Sequence, residues 1–352
     1  MTDAPKPAPE DIRRARTENP ALRERDLAQK LGVSEADYVA AHCGHGATRI
    51  EVDVDTLLAE AGTLGEVMAL TRNESAVHEK IGVYENAKPG RQAAMVLGSD
   101  IDLRIFPGAW AHGFAVEKHG EDGVRRSLQF FDAAGDAVHK IHLRPASDVD
   151  VYLALVERMR SVDQAQAIET TAGPASGSTS ETMPGSRDEL REKWEAMTDV
   201  HQFFGILRSL NLTRRQALSM VGDDLAWRLD RDAVSAMMMQ AAQEEMPIMC
   251  FVGNKGCIQI HSGPVANIKT MGPWLNVMDP GFHLHLRTDR IAELWGVRKP
   301  NSDGHVTSLE AYDADGTMVI QFFGKRHEGK NERPDWRRLA EQLPRLPDRT
   351  AA

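Results

Sequence analysis

The run Asp199-Val200-His201-Gln202-Phe203-Phe204 sets an imidazole and two aromatic rings at the start of a segment with helical spacing. Asp199 reads as the N-cap with Gln202 at the third position, which puts His201 in the first turn. There the positive end of the helix dipole disfavours imidazolium, so the ring stays neutral and a nitrogen is available to a metal. Phe204, three residues on, shares that face. Taken alone, a first-turn histidine is more often a surface or capping group than an iron ligand. Asp102-Leu103-Arg104-Ile105-Phe106 alternates as a strand with Arg104 and Phe106 on one face, and by itself reads as a solvated arginine beside an edge aromatic. Arg214, Lys299, Gln321 and Arg326 form a scattered basic and polar set that must converge to hold an anion, while Phe323, within Phe322-Phe323-Gly324, reads by itself as core. His283 and His285 alternate in one strand and point the same way, as a metal pair or as hydrogen-bonded strand histidines. His42, Cys43 and His45 cluster around Gly44 without the second ligand pair that a zinc site needs.

These groups lie in a chain that repeats itself. Met68 to Val138 aligns with Met249 to Val319 at a constant offset of 181, so that Ser127-Leu128-Gln129-Phe130-Phe131 faces Ser308-Leu309-Glu310-Ala311-Tyr312. Each copy opens with the same helix pair: Leu27 and Leu31 before the cap Ser34-Glu35-Ala36-Asp37, and Leu207 and Leu210 before the capping box Thr213-Arg214-Arg215-Gln216, here at an offset of 179. Hairpins follow, with Asp132–Gly135 and Asp313–Gly316 as their turns. The fold class is therefore α+β, a tandem duplication in which each half joins a helix pair to a large, mainly antiparallel sheet. The expected organisation is a flexible tail over 1–20, a first repeat over 21–162, a linker over 163–187 rich in Thr, Ser, Gly and Pro, and a second repeat over 188–350. Function should lie where the copies differ. At the helix start, His201 falls opposite Leu22, and Phe203-Phe204 opposite Glu24-Arg25.

Composition narrows the field. The 352 residues are 41% hydrophobic and 27% charged, enough for two ordinary cores. Met1 to Arg16 has no apolar signal region and no run approaches the roughly 18 apolar residues of a membrane span, which predicts a cytoplasmic protein without membrane insertion. A net charge of −10 gives little general attraction for nucleic acid. Leu27-Ala28-Gln29-Lys30-Leu31-Gly32-Val33-Ser34 looks like a helix-turn-helix, yet the helix that would enter a groove carries Glu35 and Asp37 and no base. Three cysteines form no disulfide framework and read as buried small residues.

Together, Asp199-Val200-His201-Gln202-Phe203-Phe204-Gly205, Val297-Arg298-Lys299-Pro300, Val306-Thr307-Ser308-Leu309-Glu310 and Ile320-Gln321-Phe322-Phe323-Gly324-Lys325-Arg326 resemble the bacterial hemin-degrading and hemin-transport factors of the HmuS/HemS/ChuS type. Leu70-Thr71-Arg72-Asn73-Glu74-Ser75-Ala76-Val77-His78-Glu79 and Ile101-Asp102-Leu103-Arg104 extend the resemblance into the first repeat. It implies a cytoplasmic, two-repeat protein that binds heme in a cleft of the second half. His201 would be the axial iron ligand, with Arg104 on the distal side and Phe106 nearby. Arg214, Lys299, Gln321, Phe323 and Arg326 would serve the propionates and the cleft wall. His78 matches a histidine that some relatives use at a second heme, and His283 departs from the family pattern. Heme, a flat apolar macrocycle with two carboxylates, calls for this combination of rings, one nitrogen donor and cations.

Two functions fit the same pocket. One is oxidative heme cleavage that releases iron, with His201 and Arg104 as the catalytic pair and an external electron donor, since the chain has no G-x-G-x-x-G motif. The other is a carrier that accepts heme at the cytoplasmic side of an importer and passes it to an oxygenase. The distal arginine favours cleavage. The sequence leaves open the reductase partner, a homodimer, and one or two hemes per chain.

Overall fold

A computed structural model describes residues 6–171, 185–326 and 331–346; part of the expected linker, 172–184, lies outside them. In the first repeat the elements run α1 (Pro9–Glu18), α2 (Glu24–Leu31), α3 (Glu35–Ala40), β1 (Ala47–Ile50), α4 (Val54–Ala61), β2 (Val67–Arg72), β3 (Ala76–Gly82), β4 (Ala87–Lys88), β5 (Ala94–Leu97), β6 (Asp102–Ile105), β7 (His112–Gly120), β8 (Gly123–Phe131), β9 (Ala137–Leu143) and α5 (Val149–Met159). In the second they run α6 (Arg187–Glu195), α7 (Gln202–Ser209), α8 (Arg214–Val221), β10 (Ala226–Leu229), α9 (Ala233–Gln243), β11 (Ile248–Gly253), β12 (Cys257–Gly263), β13 (Ile268–Met271), β14 (Trp274–Asp279), β15 (Phe282–Arg287), β16 (Glu293–Asn301), β17 (Gly304–Tyr312), β18 (Met318–Gly324) and α10 (Pro334–Gln342). This is the α+β tandem duplication read from the sequence, with one difference. Helices do not all precede the strands: α4 and α9 follow the first strand of each copy, and α5 and α10 follow its last hairpin.

Local chemistry explains the repeated pieces. Ser34 and Thr213 form reciprocal capping boxes with Asp37 and Gln216, fixing where α3 and α8 begin. In the β8–β9 turn Asp132 Oδ1 accepts the amides of Ala134 and Asp136, and in the β17–β18 turn Asp313 Oδ1 accepts those of Asp315 and Thr317. Gly135 takes φ +85°, and a Cβ there would also meet the Ser34 hydroxyl oxygen at 2.1 Å. Residues 9–18, expected within a flexible tail, form α1 instead. Pro9 at its start with Glu10 and Asp11 in the first turn suit a helix N-terminus, and Ile12 is buried. Past α5, residues 163–171 of the expected linker are likewise held: Gln164 and Gln166 donate to the Arg49 and Cys43 carbonyls, and Ile168 is buried.

The chain divides into two compact units whose boundaries do not follow the repeats. One comprises Met1–Asn73, His78–Ala175 and Gly253–Gln259; the other comprises Glu74–Val77, Ser176–Val252 and Ile260–Ala352. In the first unit β1, β7, β8, β9 and β2 are successive antiparallel neighbours, and β4, β5 and β6 form a second ladder. The second unit repeats this with β10, β16, β17, β18 and β11, and with β13, β14 and β15.

Each unit is thus completed by a short segment of the other repeat. In the first, Asn254 Nδ2 donates to the Arg72 and Val138 carbonyls while its Oδ1 accepts the amides of Gly256 and Cys257. The Gly256 carbonyl accepts the Phe106 amide and the Trp110 indole, both at 2.9 Å. Fully buried, His139 joins Tyr84 (2.6 Å) to Thr71 (2.9 Å), whose hydroxyl reaches Gln259 (3.0 Å). In the second unit the Ser75 carbonyl accepts the Arg287 amide, and Ala76 joins the core that includes Trp336 and Phe322. Asn254→Ala strands two backbone amides and two carbonyls, so it should lower unfolding free energy by about 2–4 kcal/mol; urea unfolding that finds no loss would remove this residue as a lock on the exchanged segment.

Candidate functional site

On β16, β17 and β18 directly paired residues share a face, which groups Lys299 with Val306, Ser308 with Val297 and Phe323, and Glu310 with Trp295 and Gln321. The apolar sides of α6, α7 and α8 pack on this face through Trp194, Phe203 and Leu218, against Trp295, Val297 and Tyr312. The opposite face, carrying Leu309 and Phe322, belongs to a separate core with α9 and α10. The sequence-predicted residues Lys299, Gln321 and Phe323 therefore share one face, and Arg214 reaches it from the first turn of α8.

At its centre lies a buried carboxylate that sequence reasoning missed. Glu310 has no exposed surface; Arg214 donates to it through Nε (2.7 Å) and Nη2 (2.6 Å), Lys299 Nζ at 2.7 Å, and the Ser308 and Tyr312 hydroxyls at 3.1 and 2.7 Å. Burial alone would raise this carboxyl, but Arg214 and Lys299 hold it well below the usual range. Lys299 goes the other way: burial brings its ammonium down to about 8, even with Glu310 alongside. At neutral pH it is still mostly protonated, so two cations face one anion and one positive charge is left over.

The same cations fix the aromatic wall. Phe203 is buried edge-on against Trp194 at 4.8 Å, with the Arg214 guanidinium 5.2 Å and the Lys299 ammonium 4.8 Å from its ring centre. Phe204 next to it is 61% exposed although Arg214 lies 5.8 Å from its ring, an outlying apolar surface that the core does not use.

His201 stands where these residues begin. Regular helix starts at Gln202, so His201 is the N-cap position itself, one residue outside the first turn in which it was expected. The expected capping survives in altered form: the Gln202 side chain accepts the amides of Thr198 and Asp199, while Asp199 Oδ1 accepts both the His201 amide (2.8 Å) and its ring Nδ1 (2.7 Å). The two hydrogen bonds from His201, backbone first, with Arg326 nearby, lower the Asp199 carboxyl. With the Nδ1 proton given to a carboxylate, the neutral ring carries its lone pair on Nε2, the arrangement used by metal-bound histidines. The side chain is 81% exposed.

Elsewhere, the expected residues have other surroundings. In the first unit Arg104 pairs with Asp102 on its own strand and donates to the Leu103 carbonyl at 3.1 Å, and Phe106 is partly exposed. His78 is fully buried in β3. His285 Nδ1 bonds Asn276 Oδ1 at 2.6 Å across β14–β15, and His283 opposes Met278. Among the described residues no group of three or more His, Cys, Asp or Glu is placed to hold a metal ion, and the cysteines are buried and unpaired. No helix among them is long and apolar enough to cross a membrane.

A model of the haemin-degrading HemS.ChuX domain matches the chain twice, over residues 32–159 and 211–343. The chain belongs to the HemS family. It is 40% identical to the hemin transport protein HmuS of Yersinia pestis, over 94% of this chain and 95% of that protein. The crystal structure of holo-PhuS, a heme-binding protein from Pseudomonas aeruginosa, superposes with a TM-score of 0.93 at 44% identity, covering 97% of this chain and all of that one. ChuS, described as an E. coli heme oxygenase, gives a TM-score of 0.84 at 37% identity, over 94% and 99% of the two chains. Within this HemS-family chain the missed Glu310 had one sequence signal: an acid in Ser308-Leu309-Glu310-Ala311-Tyr312 where the other copy has Gln129.

Glu310→Gln leaves two cations buried without their counter-charge and should destabilise the protein by about 3–5 kcal/mol at pH 7. A carboxyl depressed in the folded state stabilises above its unfolded pKa and loses that contribution as pH falls. The gap between wild type and variant in urea midpoints should therefore narrow below about pH 4.5; a gap that stays constant down to pH 3.5 contradicts an ionised Glu310.

Proposed function

We propose that this chain binds heme in its second unit with His201 as the iron ligand, and that it serves heme utilisation by opening the ring oxidatively. The observation that carries the reading is the Asp199–His201 pair, because it fixes the ring tautomer and leaves Nε2 for iron. The surplus positive charge around Glu310 suits a propionate: Arg214, its side chain 17% exposed, is the group within reach, while Lys299, 6% exposed, contributes charge from behind. Arg326 adds a cation near Asp199, and Phe204 offers an apolar surface to the macrocycle. Gln321 and Phe323 are partly exposed on the same sheet face and would line the wall.

Heme, when bound and reduced, would supply the oxygen chemistry; His201 would hold its iron, Asp199 would keep that ring oriented, and Arg214, Lys299 and Arg326 would supply cations for the propionates. Electrons come from an external donor, and the setting is the cytoplasm, downstream of a heme importer. The PhuS and ChuS likenesses support heme as ligand, and ChuS supports ring opening. Arg104 as distal hydrogen-bond donor, Phe106 as its neighbour and His78 as ligand of a second heme are carried by the family resemblance alone. A second reading, heme carriage, is favoured by the 81% exposure of His201, since an accessible ligand suits transfer to another protein.

His201→Ala should abolish the Soret shift of ferric heme on binding, and an unchanged spectrum would falsify the ligand assignment. Asp199→Asn should keep the site but weaken heme by about 10–100-fold. With reductant, catalase and an iron chelator present, the heme complex should lose its Soret band in air and release a linear tetrapyrrole, but not under nitrogen. Persistence in air of a complex confirmed as reduced makes the carrier the better reading. Arg104→Ala should slow this loss with little change in the ferric spectrum; an equal rate removes Arg104 from the chemistry.

A further inference from the structure

The first unit carries a cleft of about 310 Å³ lined at positions that match the second unit's candidate site in sequence. Lys118 and Ser127 correspond to Lys299 and Ser308 at the offset of 181, and Leu22 to His201 at 179, so two polar positions are kept and the imidazole is gone. Around them the chemistry has turned basic. Arg23, Arg125 and His142 stand where the other copy has Gln202, Val306 and Phe323. An adjoining cleft of about 380 Å³ shares Arg16, Glu24, Lys118 and Arg125 with the first, so the cationic wall serves both.

The charges do not cancel. Lys118 pairs with Glu24 at 2.6 Å and Arg126 with Glu117 at 2.7 Å. Arg16 donates to the Leu22 carbonyl at 2.6 Å and has Glu24 as a neighbouring charge, but Glu24 is hydrogen-bonded to Lys118, so one carboxylate stands among Arg16, Arg23, Lys118 and Arg125 in the first cleft. Arg16 and Arg125 thus line both clefts and Arg23 the first, in a chain whose net charge is −10. His142 adds no charge of its own: burial, with Lys140 and Lys118 beside it, holds the imidazole down to about 4, leaving a neutral donor. Ser127 is buried, its oxygen accepting from Gln129, which leaves the hydroxyl proton to give. Guanidinium groups prefer oxyanions they can grip with two N–H bonds, and clefts of this size take small molecules.

We propose that these clefts bind a small polyanion, a molecule bearing two or more carboxylate or phosphate groups, independently of any heme in the second unit. With no imidazole at Leu22, the site would hold its ligand by charge and hydrogen bonding without an iron bond. The test is calorimetric titration of the full chain with citrate and with pyrophosphate, at matched ionic strength. The informative variants carry the other copy's residues: Arg23→Gln, Arg125→Val and His142→Phe, with the exposed Arg338→Gln of the second unit as control. Saturable binding of at least one probe is expected, weakened about tenfold for each guanidinium removed, with Arg338→Gln like wild type. Tighter citrate would identify carboxylates as the ligand groups, tighter pyrophosphate phosphates. Circular dichroism confirms that each variant is folded, and their heme Soret spectra should match wild type. The proposal is overturned by heat that only tracks ionic strength, by folded variants that bind as wild type does, by equal weakening in Arg338→Gln, or by binding of a DNA duplex while neither small anion binds.

Discussion

Removing a carboxylate from water costs several kcal/mol unless its lone pairs are met, and Glu310 meets that demand with two donors from Arg214, one from Lys299 and hydroxyls from Ser308 and Tyr312. Much of the second unit's candidate site follows from satisfying it. Arg214 is the first residue of α8, so the ion pair ties the start of that helix to β17. Phe203 of α7 packs its ring beside the same two cations and against Trp194, which sets how α7 lies on the sheet. His201 precedes Phe203 by two residues and inherits its position from this arrangement. The surplus cation that suits a propionate and the helix start that carries the imidazole are therefore consequences of one buried charge.

The two copies solve the same structural problem with opposite signs. In the second unit the cation sits on the helix, Arg214, and the anion on the strand. In the first, α3 begins with Glu35, which pairs with Lys140 of β9 and Arg72 of β2, and the position of Glu310 is taken by the neutral Gln129. A helix–sheet ion pair is kept while its polarity is reversed, so the fold tolerates either version and the surface chemistry above it is free to diverge. This also explains why α3, acidic and looking like a DNA-reading helix, is occupied internally: Tyr38, Val39 and Ala40 are buried and Glu35 is committed to the sheet.

What the sequence revealed was largely local or periodic. A constant offset exposed the duplication, and Asp-x-x-Gly turns and Ser34 and Thr213 caps marked hairpins and helix starts because each rests on side chains bonding to nearby backbone. Arg214, Lys299, Gln321 and Phe323 are scattered through the second repeat, and only strand register shows that Lys299, Gln321 and Phe323 share a sheet face, which Arg214 reaches from α8. Glu310 was hidden because a single acid in an apolar strand does not announce its cations, which lie 11 and 96 residues away. Asp199 is expected as the N-cap, but His201 takes that position, and the bond from the His201 ring to Asp199 depends on a turn geometry that spacing alone does not fix. The α1 helix was hidden by a Pro-rich, charged composition, and the exchange of Gly253–Gln259 and Glu74–Val77 between units leaves no local mark at all.

That exchange has a consequence for how the protein is made. During synthesis the first repeat leaves the ribosome complete in its own residues, yet the segment holding Asn254, Gly256, Cys257 and Gln259 has still to be translated. Trp110 has no carbonyl from Gly256 to bond, and Thr71 no Gln259, until the second repeat has been polymerised as far as these residues. The nascent chain must keep a gap in its first core open for that interval, a vectorial delay imposed by topology. Neither repeat is then a module that could be cut at the linker and expected to carry a finished core, and the duplication that created two copies has made each depend on the other being translated.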